Sequence, residues 1–208
     1  MLFYLLLQFA TWCFYTINGV EEAEANMIRH TFSILPGIGE TLEKRLWRSG
    51  ILTWEDSLAA GGIEFLSAEK KRLYDAMLSN ALQHLARNDV YFFARNLKHS
   101  DHLRLFRLLR DTAVALDIET NGAAACDGGC VTVAGLSDGF HYKALVKGRD
   151  LNRDTLAEEL SRCRLLITFI GSVFDLPYIC DIYGLSIAIP HFDLCFSGRK
   201  AGFAGGLK

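Results

Sequence analysis

The sequence lacks any excess of charge. Across 208 residues, 22 Lys and Arg stand against 24 Asp and Glu, a formal net charge of −2. No general basicity marks the whole chain for nucleic acid, and no acidic tail marks a solvating region. Several catalytic signatures are missing as well. There is no Gly-rich phosphate loop closed by Lys and Ser or Thr, so NTP hydrolysis has no support. HExxH is absent, which removes that class of zinc protease. Internal repeats and low-complexity tracts are not found. The six cysteines, Cys13, Cys126, Cys130, Cys163, Cys180 and Cys195, are too irregularly spaced for a disulfide framework. They read as reduced thiols of a cytoplasmic protein. Cys126 and Cys130 have no second Cys/His pair at zinc spacing, which leaves them as incidental loop thiols.

What is present is apolar. Half the residues are hydrophobic and 22% are charged, enough for a sizeable core in one ordinary domain or two small ones. Charge is uneven along the chain. Residues 27–111 carry 13 bases against 10 acids, and residues 112–208 carry 9 against 11. Residues 1–20 carry no charge, and 15 of them are hydrophobic. Three readings compete for this stretch: a misplaced start with Met27 as the true first residue, a membrane anchor, and a secretory signal with Ala23-Glu24-Ala25 as its cleavage site. The first is preferred, because a basic n-region and helical periodicity are lacking and the rest looks intracellular. A membrane partner is then not expected unless residues 1–20 are a genuine anchor.

The expected organisation is a hydrophobic extension over 1–26, a helical region over 27–110 and an α/β region over 111–208. In the helical region, Thr53 to Asp56 forms a capping box for a short helix ending near Gly61. Ser67 caps a longer helix whose Leu73, Met77, Ala81 and Leu85 are expected to line the core. Ser100-Asp101 opens another helix, with Leu103, Phe106 and Leu109 along one side. After Asp111 the pattern changes. Strands are expected over Thr112–Ile118, Val131–Leu136, Phe140–Val146, Leu165–Ile170 and Ile187–Leu194, with helices over Asp154–Cys163 and Phe174–Tyr183. That order implies an α/β or α+β domain with a mixed sheet and flanking helices.

Leu35-Pro36-Gly37-Ile38-Gly39 precedes a helix over about Glu40–Arg48, which stops before Gly50. The two glycines allow a tight turn that exposes N–H groups beside a helix N-terminus, an anion site that a nucleic-acid phosphate would fit. Lys44, Arg45 and Arg48 add charge, while Phe32, Leu35, Ile38, Leu42 and Leu46 close a small core. The bland alternative is a helical hairpin whose glycines merely permit the turn. The segment Phe32–Ile51 resembles a helix-hairpin-helix motif. That resemblance implies backbone contact without sequence readout through Gly37, Ile38, Gly39, Lys44 and Arg45.

Asp117-Ile118-Glu119-Thr120 ends an apolar strand. Alternation places Asp117 and Glu119 on one face, where their mutual repulsion invites a divalent cation. Asp175 stands at a strand-to-helix junction from which it can point across to the first strand. His191 and Asp193 end the last strand. For Asp117 and Glu119 alone, an exposed strand terminus would serve as explanation. Together, these segments resemble the RNase H-like fold of DEDD (DnaQ-like) 3′–5′ exonucleases, and more closely its YprB-type subfamily. The matching motifs are Leu35–Gly39, Asp117–Thr120, Phe169–Pro177, His191–Leu194 and Gly205–Lys208. The resemblance implies that Asp117, Glu119 and Asp175 are catalytic metal ligands and that His191 and Asp193 support the site. It also implies Mg²⁺ or Mn²⁺, two ions in the complete enzyme, and DNA or RNA as substrate, with no small-molecule cofactor. Two departures stand out: Ile170 replaces the subfamily's Asn, and the fourth DEDD aspartate is not among the 208 residues. The expectation is therefore an incomplete, C-terminally truncated RNase H-like domain whose hydrolysis is impaired or lost, the alternative being a non-catalytic nucleic-acid-binding module.

Overall fold

A computed structural model describes residues 23–200. They divide into two compact units, 23–108 and 109–200. The apolar stretch over 1–20 and the Gly205–Lys208 segment lie outside the described residues.

The first unit is helical. It opens with 3₁₀ helices at Ala23–His30 and Phe32–Ile34 and continues through α1 (Glu40–Arg48), α2 (Trp54–Ala59), α3 (Ala68–Ala86) and α4 (Val90–Asn96). A further 3₁₀ stretch covers His99–Leu105 and leads into the one-turn helix α5 (Phe106–Leu109). The local signals act as chemistry demands. Thr53 accepts from the Asp56 amide while the Asp56 carboxylate accepts from Thr53 N, a reciprocal cap on α2. Ser67 accepts from the Lys70 amide at 3.2 Å to start α3. Gly50, at φ +86°, ends α1, and Ile51 N donates back to Leu46 O at 3.1 Å. Phe32, Trp54, Leu78 and Phe93 are fully buried.

The buried face of α3 differs from the expected one. Lys71, Tyr74, Leu78 and Ala81 point inward, whereas Leu73 is 53% exposed. A strict four-residue step advances about 40° beyond a full turn each time, so such a row spirals off the core face. The stripe that stays in contact alternates steps of three and four. The helix expected from Ser100-Asp101 begins as a 3₁₀ turn at His99, and α4 had no sequence expectation.

The second unit is a five-stranded mixed sheet with helices. Its elements are β1 (Ala113–Thr120), β2 (Val131–Ser137), β3 (Tyr142–Val146), α6 (Arg153–Ser161), β4 (Leu165–Thr168), α7 (Asp175–Tyr183), β5 (His191–Asp193) and α8 (Leu194–Lys200). The strand order is β3-β2-β1-β4-β5. β2 runs antiparallel to both neighbours, and β4 runs parallel to β1 and β5. Leu116, Ile118, Ala134, Leu136 and Leu145 project from one face onto Leu156 and Leu160 of α6 and Ile179 of α7. β5 is shorter than the expected Ile187–Leu194 strand, and at its end the Asp193 carboxylate accepts from the Cys195 amide at 3.0 Å as α8 begins.

Candidate active site

The ladder between β1 and β4 ends at Ala115 and Ile167, two residues short of Asp117. β1 therefore runs on past the end of its neighbour and opens a crevice at the carboxyl end of the sheet, where ligands of α/β folds commonly sit. A bulge lies beside it. Glu119 pairs with Val133 but Thr120 pairs with Val131, so Thr132 is the extra residue on β2.

Asp175 fills the gap that β4 leaves. Its Oδ1 accepts from the Ile118 amide at 3.1 Å, a β1 donor beyond the last β4 partner. Asp175 is the first residue of α7 and is buried. Burial, opposed by that Ile118 bond and reinforced by the neighbouring Asp117 carboxylate, raises its carboxyl to about 6. Burial, and then the Glu119 carboxylate, also raises Asp117. Asp117 is thus the electrostatic hinge between the other two acids. Glu119 is exposed and Asp117 half-buried.

The chain reaches Asp175 through a strained turn. Ile170 sits at φ +63°, left-handed backbone that a β-branched residue rarely adopts. Gly171 packs so closely on Thr168 that any Cβ would collide with it. Asp193 holds this turn. Its Oδ1 accepts from Ile170 N at 2.8 Å, and its Oδ2 accepts from Ser172 N at 3.0 Å and Ser172 Oγ at 2.7 Å. With the Cys195 amide, both carboxylate oxygens are engaged. His191 shares a 2.8 Å hydrogen bond between Nε2 and Thr168 Oγ1. Across the crevice, Tyr178 of α7 donates to Ala123 O at 2.7 Å and ties the loop after β1 to the same helix.

Two acids adjoin Asp117, but a preformed cage is not present. Among the described residues, no group of three or more His, Cys, Asp or Glu side chains is arranged to hold a metal ion. The donor chemistry still fits a hard cation. Asp117 and Asp175 are carboxylates raised first by burial and then by a neighbouring carboxylate, Glu119 for Asp117 and Asp117 for Asp175, and none of the three acids forms an ion pair with Lys or Arg among the described residues. A divalent ion would draw on Asp117 and Asp175, with Glu119 at the rim.

In the first unit a turn at Gly37–Gly39 leads into α1, and the limb before it is a 3₁₀ turn rather than a full helix. Gly37 lies at φ +79°, and Gly39 begins α1 without a side-chain cap. Ile38 is buried beneath the turn while Gly37 is exposed. Tyr74 donates to Pro36 O at 2.8 Å and holds the turn from below. Lys44 pairs with Glu40 at 2.6 Å, and the Arg45 guanidinium lies 4.2 Å from the centre of the Phe65 ring. Both cations are exposed, and an exposed pair of this kind is weak and readily exchanged. Sequence reasoning missed Glu43. Only 1% exposed, it accepts from Phe32 N at 2.7 Å and Ser33 N at 3.0 Å and takes both arms of Arg104 at 2.7 Å. One of two Glu in the first turn of an amphipathic helix carries no signal for that role.

The strand order and the single antiparallel β2 give residues 109–200 an RNase H-like fold. Among the described residues, no helix is long and apolar enough to cross a membrane. No curated protein and no solved structure matches the chain. Residues 114–208 match a family model described as RNase H superfamily, and it is to that superfamily that this part of the chain is similar.

Proposed function

We propose that the second unit is a nucleic-acid phosphodiester hydrolase of the 3′–5′ exonuclease type, dependent on Mg²⁺ or Mn²⁺, with Asp117, Glu119 and Asp175 as its acidic residues. One observation carries the reading. A buried aspartate at the start of α7 replaces the missing β4 partner of Ile118, and its carboxyl is raised by burial and by the Asp117 carboxylate, itself raised by burial and by Glu119. Evolution of a core alone has no use for two adjacent carboxylates without a cation. A bound divalent ion would neutralise phosphate charge and lower the pKa of a water.

The chain's own residues supply the rest. Asp117 and Asp175 offer oxygens held on two rigid elements, a central strand and a helix start. Glu119 faces solvent, where an incoming phosphodiester and water meet it. Asp193 and His191 act as supports, and the Asp193 charge adds to the rise of the Asp175 carboxyl. Asp193 holds the turn into α7, and His191 is hydrogen-bonded to Thr168. The hairpin at Gly37, Ile38 and Gly39, with Lys44 and Arg45, would grip nucleic-acid backbone independently of sequence.

A second reading is favoured by the lack of a preformed three-ligand group among the described residues. In it, the hairpin binds nucleic acid and the acidic crevice is inert. The test is hydrolysis of end-labelled single-stranded DNA and RNA in Mn²⁺. Shortening from the 3′ end that disappears in Asp117→Ala supports the hydrolase. Retention of the oligonucleotide with no cleavage supports the binding module.

A further inference from the structure

β1 outruns β4. Their ladder ends at Ala115 and Ile167, while β1 continues to Thr120 in register with β2. The stretch that carries Asp117 and Glu119 is therefore the overhanging arm of a hairpin. On its β4 side α7 takes the place of a strand and fastens the arm at two points. Asp175 Oδ1 accepts from Ile118 N at 3.1 Å. Three residues on, the Tyr178 hydroxyl donates to Ala123 O at 2.7 Å, just past the end of the arm. Residues three apart lie on one side of a helix, so both fastenings come from the same side of α7.

The second fastening is stiff. Tyr178 is buried, and its ring centre stands 5.5 Å from that of Phe174. A Cβ on Gly129 would collide with the Tyr178 hydroxyl and with Ala124 O, so glycine makes the room for the phenol end. The loop that receives it is braced from within. Asn121 Oδ1 accepts from Cys130 N at 3.0 Å, Asn121 Nδ2 donates to Gly128 O at 3.1 Å, and Gly129 N donates to Ala124 O at 2.9 Å. A pull on Ala123 is thus passed to the end of β1 rather than absorbed in the loop. The two fastenings also differ in chemistry. The one at Ile118 is made by a carboxylate on which a cation would draw, whereas the one at Ala123 uses no acid and persists when Asp175 turns to an ion.

We propose that Tyr178 is a positioning residue of the acidic crevice: its bond to Ala123 O holds the arm bearing Asp117 and Glu119 at the distance from α7 at which Asp175 shares a cation with them. This rests on the hydrolase reading above. The hydroxyl touches neither ion nor substrate. Its loss lets the arm and α7 part, and the acids then meet a cation less well although each remains present.

Tyr178→Phe removes the hydroxyl and keeps the ring. Mn²⁺ binding to the full chain, followed by loss of the free-ion electron paramagnetic resonance signal, should weaken about tenfold in this variant. In the metal-free protein the Gly129 and Cys130 amides should exchange with deuterium faster than in the parent. Leu160→Val trims the buried core of the same unit from α6; it should lower the thermal midpoint and leave Mn²⁺ affinity at the parent value. Equal Mn²⁺ affinity in the parent and Tyr178→Phe, or unchanged amide exchange, overturns the positioning role and leaves the hydrolase reading standing. Equal weakening by Leu160→Val also overturns it, since affinity then merely follows stability. No saturable Mn²⁺ uptake by the parent overturns the hydrolase reading, and the positioning role with it.

Discussion

Ile170 is the residue whose presence the backbone least explains. It occupies left-handed backbone at φ +63°, where a β-branched side chain crowds its own carbonyl, and it is 41% exposed, so packing returns little. Asn or Gly tolerates that geometry. Ile170→Asn should therefore stabilise the protein by about 1 kcal/mol, measured by urea unfolding. Asp175 is costly for an electrostatic reason. Its carboxyl is raised to about 6, so the folded chain binds more protons than the unfolded chain between about pH 4 and that value. Stability from this group is accordingly greatest below about pH 4 and is lost as pH climbs through about 6. Asp175→Asn should stabilise the metal-free protein at pH 7.5 by on the order of 1–2 kcal/mol, and the gain should vanish at pH 4. The same substitution should abolish hydrolysis, a combination that a merely structural aspartate would not give.

At the scale of elements, two carboxylates act as struts. Glu43 of α1 is buried, with two backbone amides and Arg104 upon it. Glu43→Gln leaves a half-buried guanidinium half-paired and should cost about 2–3 kcal/mol by chemical denaturation. The Thr53 cap is local, and Thr53→Ala should cost about 1 kcal/mol. These cases show what a sequence can and cannot disclose. The caps at Thr53 and Ser67, the stop at Gly50 and the alternation of β1 depend on neighbours within four residues, so they are legible. The buried face of α3 was misjudged because apolar letters at every fourth position drift around a 3.6-residue helix. Glu43 and Asp193 were opaque as struts because their partners lie far along the chain.

At the scale of the whole molecule, the mixed sheet was legible from the order of apolar runs, and the meeting of Asp175 with β1 from its strand-to-helix junction. The bulge at Thr132 and the strained turn at Ile170 were not, since the first arises from strand register and the second from a backbone conformation that Ile rarely adopts. Cation binding and carboxylate burial are two sides of one arrangement in the proposed site. A cation held only by the folded state adds stability by mass action, about 2.7 kcal/mol at a hundredfold excess over Kd. Mn²⁺ should therefore raise the thermal midpoint of the parent and leave that of Asp117→Asn unmoved. The most direct measurement is an electron paramagnetic resonance titration of Mn²⁺ at pH 7.5, comparing the parent chain with the Asp117→Asn/Asp175→Asn double variant. Saturable loss of the free Mn²⁺ signal in the parent and none in the variant is the predicted result. Equal uptake by both, or uptake by neither, would contradict it.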